Sequence, residues 1–508
     1  MVESMLHVDE RCCGSKRAVV GDEKQVLRRI TRTELRRADR LSPRVTIDAL
    51  PDNVLLDTFE FCLGKDDPDV VFGDDDHDYD EWQTLVHVCC RWRWIVFTSP
   101  RRLDVKLYCN PQRLVNTKIL DIWPALPIVI HTGGMESKED VTNVIAVLRQ
   151  HNRVCKIDYY DNQFQNSLLE EFAAMDEPFP ALTSLDLASY AQNVPVLPDS
   201  FLGGSAPRLR SLILEGIPYP SIGTLLSSTA NLVWLTLVDI PHSGYIAPET
   251  IVPCLSMLPR LGSLDLGFQY HQSQAHRASR HPPPLTRVVF PSLTFLRFRG
   301  DIEYLEDILS QIETPILNES IFNSFNQLVF DTPLLGHFIR RTEIFMTIHK
   351  ARVQFYSYAV LVTFSRQEMA NNDVQTLTLS ITCNQLDWQL SALSQVLNSF
   401  LSSFSTLESL EIVVYHADWQ GEIEVIQWRE FFHLFTPVKK MTLKDEASVR
   451  LVALALPELS GERATEVLPA LQNLSLTTSS WSRSGPLKEA IEDFIATRRL
   501  YGHPVTVH

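Results

Sequence analysis

Asp76-x-Asp78-x-Asp80 has the alternating carboxylates that open a calcium-binding loop. The rest of such a loop is missing: Glu81 stands where the turn glycine is required, and His87 where the bidentate glutamate belongs. The nine cysteines, at 12, 13, 62, 89, 90, 109, 155, 254 and 383, contain no C-x-x-C pair to seed a zinc site. Their number is odd, and the adjacent pairs Cys12–Cys13 and Cys89–Cys90 are poorly placed for mutual disulfides. The fifteen histidines form neither an H-E-x-x-H helix nor a deaminase-type H-x-E…C-x-x-C set, and no G-x-S-x-G elbow occurs. The nineteen glycines build no phosphate-binding loop. No metal, cofactor or catalytic residue is therefore expected. What remains is recognition chemistry. Trp234, Phe295, Arg297 and Arg299 combine the aromatic and guanidinium types that dominate binding energy at protein interfaces. The two arginines would also suit a phosphopeptide. The competing reading is that these aromatics are covered by a neighbouring strand or by residues 267–290.

The elements that place those side chains emerge from a repeat. Leucine makes up 66 of the 508 residues, and from about residue 150 one spacing recurs: apolar-x-x-apolar-x-apolar. It runs through Val154/Ile157/Tyr159, Leu182/Leu185/Leu187, Leu209/Leu212/Leu214, Leu232/Leu235/Leu237, Leu261/Leu264/Leu266 and Leu293/Leu296/Phe298. It continues through Phe325/Leu328/Phe330, Val374/Leu377/Leu379, Leu407/Leu410/Ile412, Val438/Met441/Leu443 and Leu471/Leu474/Leu476. Each copy reads as a short half-buried strand entered from a turn, because its last two apolar residues alternate with polar ones. Pro180, Pro207, Pro259, Pro291 and Pro469 stand two residues before the first apolar position and stop a helix from running in. Helical periodicity lies between copies, as in Leu305/Ile308/Leu309/Ile312 and Leu390/Leu393/Val396/Leu397/Phe400/Leu401. One long gap, containing strand-like sequence from Arg352 to Ser365, is expected to hold a degenerate turn.

A strand, a helix and a return at such a period predict an α/β leucine-rich-repeat solenoid with irregular strand–helix repeats and a curved parallel sheet. Trp234, Phe295, Arg297 and Arg299 then sit between the buried positions and face away from the leucine core. The asparagine or cysteine that usually follows the strand is replaced by Tyr190, Ile217, Ile240 and Gln269, so the turns are expected to be irregular.

Composition sets the broad class. Apolar content of 45% and charged content of 21% suit a chain with a sizeable buried core. No run of 18 or more apolar residues suggests a membrane span, and the opening MVESMLHVDE lacks the features of a secretory signal. With reduced thiols, a cytoplasmic or nuclear location is expected. The net charge of −16 divides unevenly. Residues 11–44 hold eleven Lys or Arg against four acids, read as a solvated arm spanning 1–44. Residues 64–81 hold nine acids and one lysine, read as an extended insert. The arm lacks aromatics and the rest of the chain is acidic, so nucleic acid is not an expected partner.

Two helix-like segments flank that insert, giving a small all-α module over 45–110 ahead of a solenoid over 111–508 that ends in a helical cap. The first begins near Pro51, which suits a helix start, and places Leu55 and Phe59 on one face. The second is expected as one helix from Trp82 to Val96, with Trp82, Leu85, Val86, Cys89 and Val96 sharing a face. Periodicity alone reads the module as a cap on the end of the solenoid.

Leu50-Pro51 followed by Val54-Leu55-Leu56 and Phe59, then Leu85-x-x-Val88-Cys89-x-x-Trp92, resembles an F-box. Cys90 occupies the place of a usual basic residue, with Arg91 next to it. Together with the repeats, and with a tail from Ile491 to Val505 that looks like a closing helix and strand, the chain resembles fungal F-box proteins with leucine-rich repeats. That resemblance implies a substrate-recognition subunit of an SCF-type cullin ubiquitin ligase. Leu50, Pro51, Leu55, Leu56, Phe59, Leu85, Val88, Cys89 and Trp92 would form the core and the Skp-adaptor interface. The solenoid would select a target protein, and ubiquitin transfer would be left to other subunits. The alternatives are an interaction scaffold with no ligase role and a hydrolase whose site is assembled only in space.

Overall fold

The computed structural model describes residues 47–63, 81–100, 102–109, 126–133, 138–160, 166–191, 193–269, 286–327, 329–367, 373–415, 425–453, 456, 467–476 and 486–508. The basic arm and nearly all of the acidic insert, including Asp76, Asp78 and Asp80, lie outside them. The chain divides into two compact units, Met1–Val105 and Lys106–His508.

The first unit contains α1 (Asp52–Cys62), α2 (Glu81–Val86) and α3 (Cys90–Thr98). Pro51 is extended ahead of α1, and Asp52 adds a favourable negative charge in its first turn. Leu55 and Phe59, one turn apart, point into the core and are buried. The expected single helix over 82–96 is instead two helices that meet at His87–Cys89. The reason is angular. At about 100° per residue, nine residues would place Ile95 opposite Val86 on one continuous helix. Both are buried, at 2% and 0% exposure, so the chain must turn between them. Cys89 is fully extended there, and its thiol accepts the Trp92 amide at 3.5 Å, the place a serine or aspartate usually fills.

The second unit is mixed α/β, and its described residues build one sixteen-stranded, mainly parallel sheet, the architecture of a leucine-rich-repeat-like solenoid. Its early strands are β1 (Leu107–Cys109), β2 (Ile128–His131), β3 (Val154–Tyr160), β4 (Ser184–Ala188), β5 (Ser211–Glu215), β6 (Trp234–Ile240) and β7 (Ser263–Phe268). The short β8 (Val288–Val289) pairs outside this sheet with β10 (Ile312–Glu313), while β9 (Phe295–Gly300) and β11 (Glu319–Ser324) continue it. Then follow β12 (Ile348–Phe355), β13 (Ala359–Gln367), β14 (Asp373–Thr382), β15 (Ser409–Val414), β16 (Lys440–Leu443), β17 (Asn473–Leu476) and β18 (Thr506–Val507). The sheet thus opens at Leu107, slightly ahead of the expected boundary after 110. β1 and β2 precede the recognisable copies because neither carries the leucine pattern.

Register explains why the spacing repeats. Leu212, Leu235, Leu264 and Leu296 pair strand to strand, as do Leu214, Leu237, Leu266 and Phe298. All eight are buried, each removing about 1.5–3 kcal/mol of side-chain hydration cost. The leading residues Leu182, Leu209, Leu232, Leu261 and Leu293 are also buried in the incoming turns. Where the asparagine turn cap is absent, backbone bonds link successive turns: Ser189 N–H to Glu215 O at 2.9 Å and Gly216 N–H to Val238 O at 2.9 Å.

Helices lie against the leucine-bearing side. They include α4 (Lys138–Leu148), α5 (Asn166–Ala173), α6 (Ile222–Leu226), α7 (Pro248–Ser256), α8 (Ile302–Gln311), α9 (Pro333–Arg341), α10 (Leu386–Asn398), α11 (Val425–His433), α12 (Glu446–Ala453) and α13 (Pro486–Leu500). Tyr159 of β3 meets Phe172 of α5 at 5.1 Å, Phe298 of β9 stacks on Tyr304 of α8 at 5.8 Å, and Phe355 of β12 meets Trp428 of α11 at 6.3 Å. The other side carries the polar alternates, and it is called the polar face below.

Two expectations about the repeat are corrected. Phe325/Leu328/Phe330 is not a strand copy: β11 ends at Ser324, and Leu328 lies outside the described residues. The true copy is Leu317/Ser320/Phe322, disguised because Ser320 is fully buried at a leucine position. Among the described residues, the long gap shows no degenerate turn. It contains a meander, β12–β13–β14, inserted in reverse, so the sheet runs β11–β14–β13–β12–β15. β13 is antiparallel to both neighbours, while β14 pairs parallel with β11 and β12 parallel with β15.

Candidate interaction surfaces

The nine residues singled out in the helical unit divide into interior and surface. Leu55 and Phe59 are core, and Trp92 is half-buried with its ring 4.6 Å from Phe59. Leu50, Leu56, Leu85 and Cys89 are half-buried, whereas Pro51 and Val88 are exposed. Burial also brings forward surface residues outside those nine, Val54 of the F-box-like motif among them. Ile47, Val54, Phe61 and Trp94 are 48%, 38%, 88% and 60% exposed. Val54 and Phe61 are seven residues apart, hence on one side of α1 and away from Leu55 and Phe59. Arg91 fastens the start of α3 to the start of α1: its Nε and Nη2 donate to Asp52 Oδ1 at 2.9 and 2.5 Å, and Nη2 donates to Leu50 O at 2.6 Å. Val88, in the turn before α3, and Pro51 and Val54, at the start of α1, are therefore held at the same end. Among the described residues, apolar side chains exposed to this extent mark a surface suited to a partner.

In the second unit, the polar face is ordered by register into rows. One reads Ser184–Ser211–Trp234–Ser263–Phe295, and the next reads His131–Asp158–Asp186–Ile213–Thr236–Asp265–Arg297 across consecutive strands. Trp234 and Phe295 are thus brought into one row with the small Ser263 between them. Trp234 is 36% exposed and Phe295 is half-buried. Arg297 and Arg299 follow Phe295 along β9, but both charges are partnered. Arg297 Nη1 donates to Asp265 Oδ2 at 3.2 Å and its guanidinium lies 5.2 Å from the Phe295 ring, while Arg299 Nη1 donates to Asp239 Oδ1 at 2.8 Å. That pairing disfavours a phosphate at these arginines, since both carboxylates would repel it.

Charge is graded along the face. Over β2 to β7 it is rich in carboxylates. His131 Nδ1 lies 2.9 Å from Asp158 Oδ2, and Tyr190 Oη donates to Glu215 Oε1 at 2.6 Å. Asp186 is pushed up to about 7 by burial and then by the neighbouring Asp158, with Glu215 adding and Lys156 opposing. Burial also raises Asp265, against the pull of Arg297. Over β12 and β15 cations prevail: Glu411, 5% exposed, is gripped by Lys350 Nζ at 3.3 Å and Arg352 Nε at 2.9 Å. Beside them Tyr356 and Tyr415 stack at 4.7 Å, with Tyr358 next to Tyr356 at 6.0 Å.

Among the described residues no group of three or more His, Cys, Asp or Glu is arranged to hold a metal, and no helix is long and apolar enough to cross a membrane. Burial pushes the Cys109 thiol up to about 11, which keeps it protonated at neutral pH.

No family model matches the sequence, and neither does any curated protein. Among solved structures, the chain is similar to the leucine-rich-repeat-containing protein LegL7 from Legionella pneumophila. The two share 16% identity with a TM-score of 0.26, over 66% of this chain and 97% of that one.

Proposed function

We propose that the chain is the substrate-recognition subunit of an SCF-type ubiquitin ligase: the helical unit docks the Skp adaptor, and through it a cullin, while the polar face of the sheet takes a target protein. The observation that carries this reading is the exposed apolar end of the helical unit, where Pro51, Val54 and Val88 are held together by the Arg91 fork. Those side chains cost free energy in water and gain it when a partner covers them. Leu50, Leu56, Leu85, Cys89 and Trp92 line the same unit as half-buried support, and Leu55 and Phe59 hold its core. Like most long repeat surfaces, the polar face presents a graded charge pattern, which suits a macromolecular target.

The test is co-purification of the Skp adaptor with the full chain. Val54→Asp with Val88→Asp replaces surface residues only, so the thermal transition should persist while captured adaptor falls by about tenfold or more. Leu55→Asp is a poor probe, because it would bury a charge in the core. An adaptor that never co-purifies, or one retained by the double variant, would move the chain to the second reading, an interaction scaffold without a ligase role.

A further inference from the structure

β7 is low between two tall neighbours. On the polar face it contributes Ser263, Asp265 and Gly267, whereas β6 and β9 carry Trp234 and Phe295 on either side of Ser263, and Arg297 beside Asp265. Two strand spacings of about 4.8 Å set these walls roughly 10 Å apart, the width of one flat side chain between two rings. The floor of this trough is electrostatically unfinished. Asp265 is 8% exposed, Oδ2 takes Arg297, and Oδ1 is buried with no hydrogen-bond partner. A buried carboxylate oxygen left unpaired costs free energy, and a donor arriving at Oδ1 would recover it.

The chain already shows which donor fits. Arg297 sits 5.2 Å from the Phe295 ring centroid and bonds the same carboxylate, so one guanidinium is held by the aromatic and the acid together. Among the described residues no second guanidinium bonds Asp265; residues 270–285, most of the segment named above as a cover for these aromatics, lie outside them. Glu215, Asp186 and Asp158 extend the negative potential from the trough toward β3, and they repel an acidic ligand.

We infer that the trough along β7 receives an arginine side chain from a basic segment of a partner protein, its guanidinium stacking on Trp234 and donating to Asp265 Oδ1. The inference rests on the reading of the polar face as a target-binding surface, and it makes the target basic where it meets β3 to β9. A carboxylate can accept two guanidinium forks at once, so Arg297 keeps Oδ2 while the incoming group takes Oδ1. Trp234, 36% exposed, borders the opening, while Arg299 stays paired with Asp239.

The experiment titrates the full chain with a capped hexa-arginine peptide, with hexa-citrulline as the neutral, equally flat control. Hexa-arginine should bind, hexa-citrulline should not, and Trp234→Ala and Asp265→Asn should each weaken binding about tenfold. Trp234 is exposed, so its variant should keep the parental melting temperature; Asp265→Asn keeps the side-chain volume if the first variant is disputed. Absence of hexa-arginine binding, equal binding of hexa-citrulline, or affinity untouched by Trp234→Ala (attraction to the acidic body alone) would overturn the inference. The adaptor test reads a different unit. Peptide binding without adaptor capture would sink the ligase reading and keep the trough; the converse would sink the trough alone.

Discussion

Asp186 shows how a single position on the polar face couples neighbours that are far apart in sequence. It sits between Asp158 and Ile213 in its row, and burial followed by Asp158 lifts its carboxyl to about 7. In an unfolded chain an aspartate titrates near about 3.9. Between those values the folded chain binds the proton more tightly, so this residue contributes most stability below about pH 4. Its contribution declines as pH rises toward 7 and is lost above. Asp186→Asn removes the penalty of the buried charge and should raise stability at about pH 8 by roughly 1–2 kcal/mol, with little change near pH 4. Urea unfolding at both pH values checks the sign; an equal gain at both would show that the effect is packing. In the sequence Asp186 is one carboxylate among 62 acids, because its environment is made by strands 27 and 28 residues away.

At the scale of elements, the helix start at Cys89 is the informative case. Its thiol accepts the Trp92 amide at 3.5 Å, a weak version of a hydroxyl cap. Cys89→Ser should strengthen the start of α3 and Cys89→Ala should weaken it by about 0.5–1 kcal/mol. Hydrogen exchange at the Trp92 amide reads the difference directly: slower in the serine variant, faster in the alanine variant. Similar protection in both would mean that packing, not the cap, holds the turn. Local periodicity predicted one helix here because residues 82–86 and 90–98 each have helical spacing. Only the need to bury both Val86 and Ile95 breaks it. The same tension hides β11, where Ser320 occupies a leucine position in a strand whose neighbours β9 and β14 supply the register.

Across the whole molecule, a repeat array is stable only if its last turn is closed. Beyond β17 the described residues add α13 and then β18, which pairs parallel with β17. Arg498, 1% exposed, reaches back from α13 to donate to Val467 O, Leu468 O and Leu471 O at 3.2, 3.1 and 3.3 Å. These carbonyls belong to the turn that enters β17. Arg498→Leu would orphan all three and should destabilise the C-terminal repeats by about 2–4 kcal/mol. Exchange protection should fall first in β16 to β18 while β3 to β7 keep theirs, since each repeat touches only its neighbours. Uniform loss across the sheet would argue against that one-dimensional coupling.

Sequence alone determined the class of fold and most of its parts. Ten of the eleven apolar copies fall on sheet strands, because a strand buried on one face must repeat its buried residues at fixed spacing wherever it occurs. The polar alternates, Trp234 and Phe295 among them, follow from the same period. Tertiary structure decided what period cannot encode. The reversed meander β12–β13–β14 depends on which strands pair across the sheet, and a strand reads the same whether it runs parallel or antiparallel. It also joined Trp234, Asp265 and Phe295 into one trough and left Asp265 Oδ1 without a donor. In the helical unit it sent Leu55 and Phe59 inward while leaving Val54, Phe61 and Val88 outside. Large apolar residues serve interiors and interfaces alike, so only burial tells the two apart.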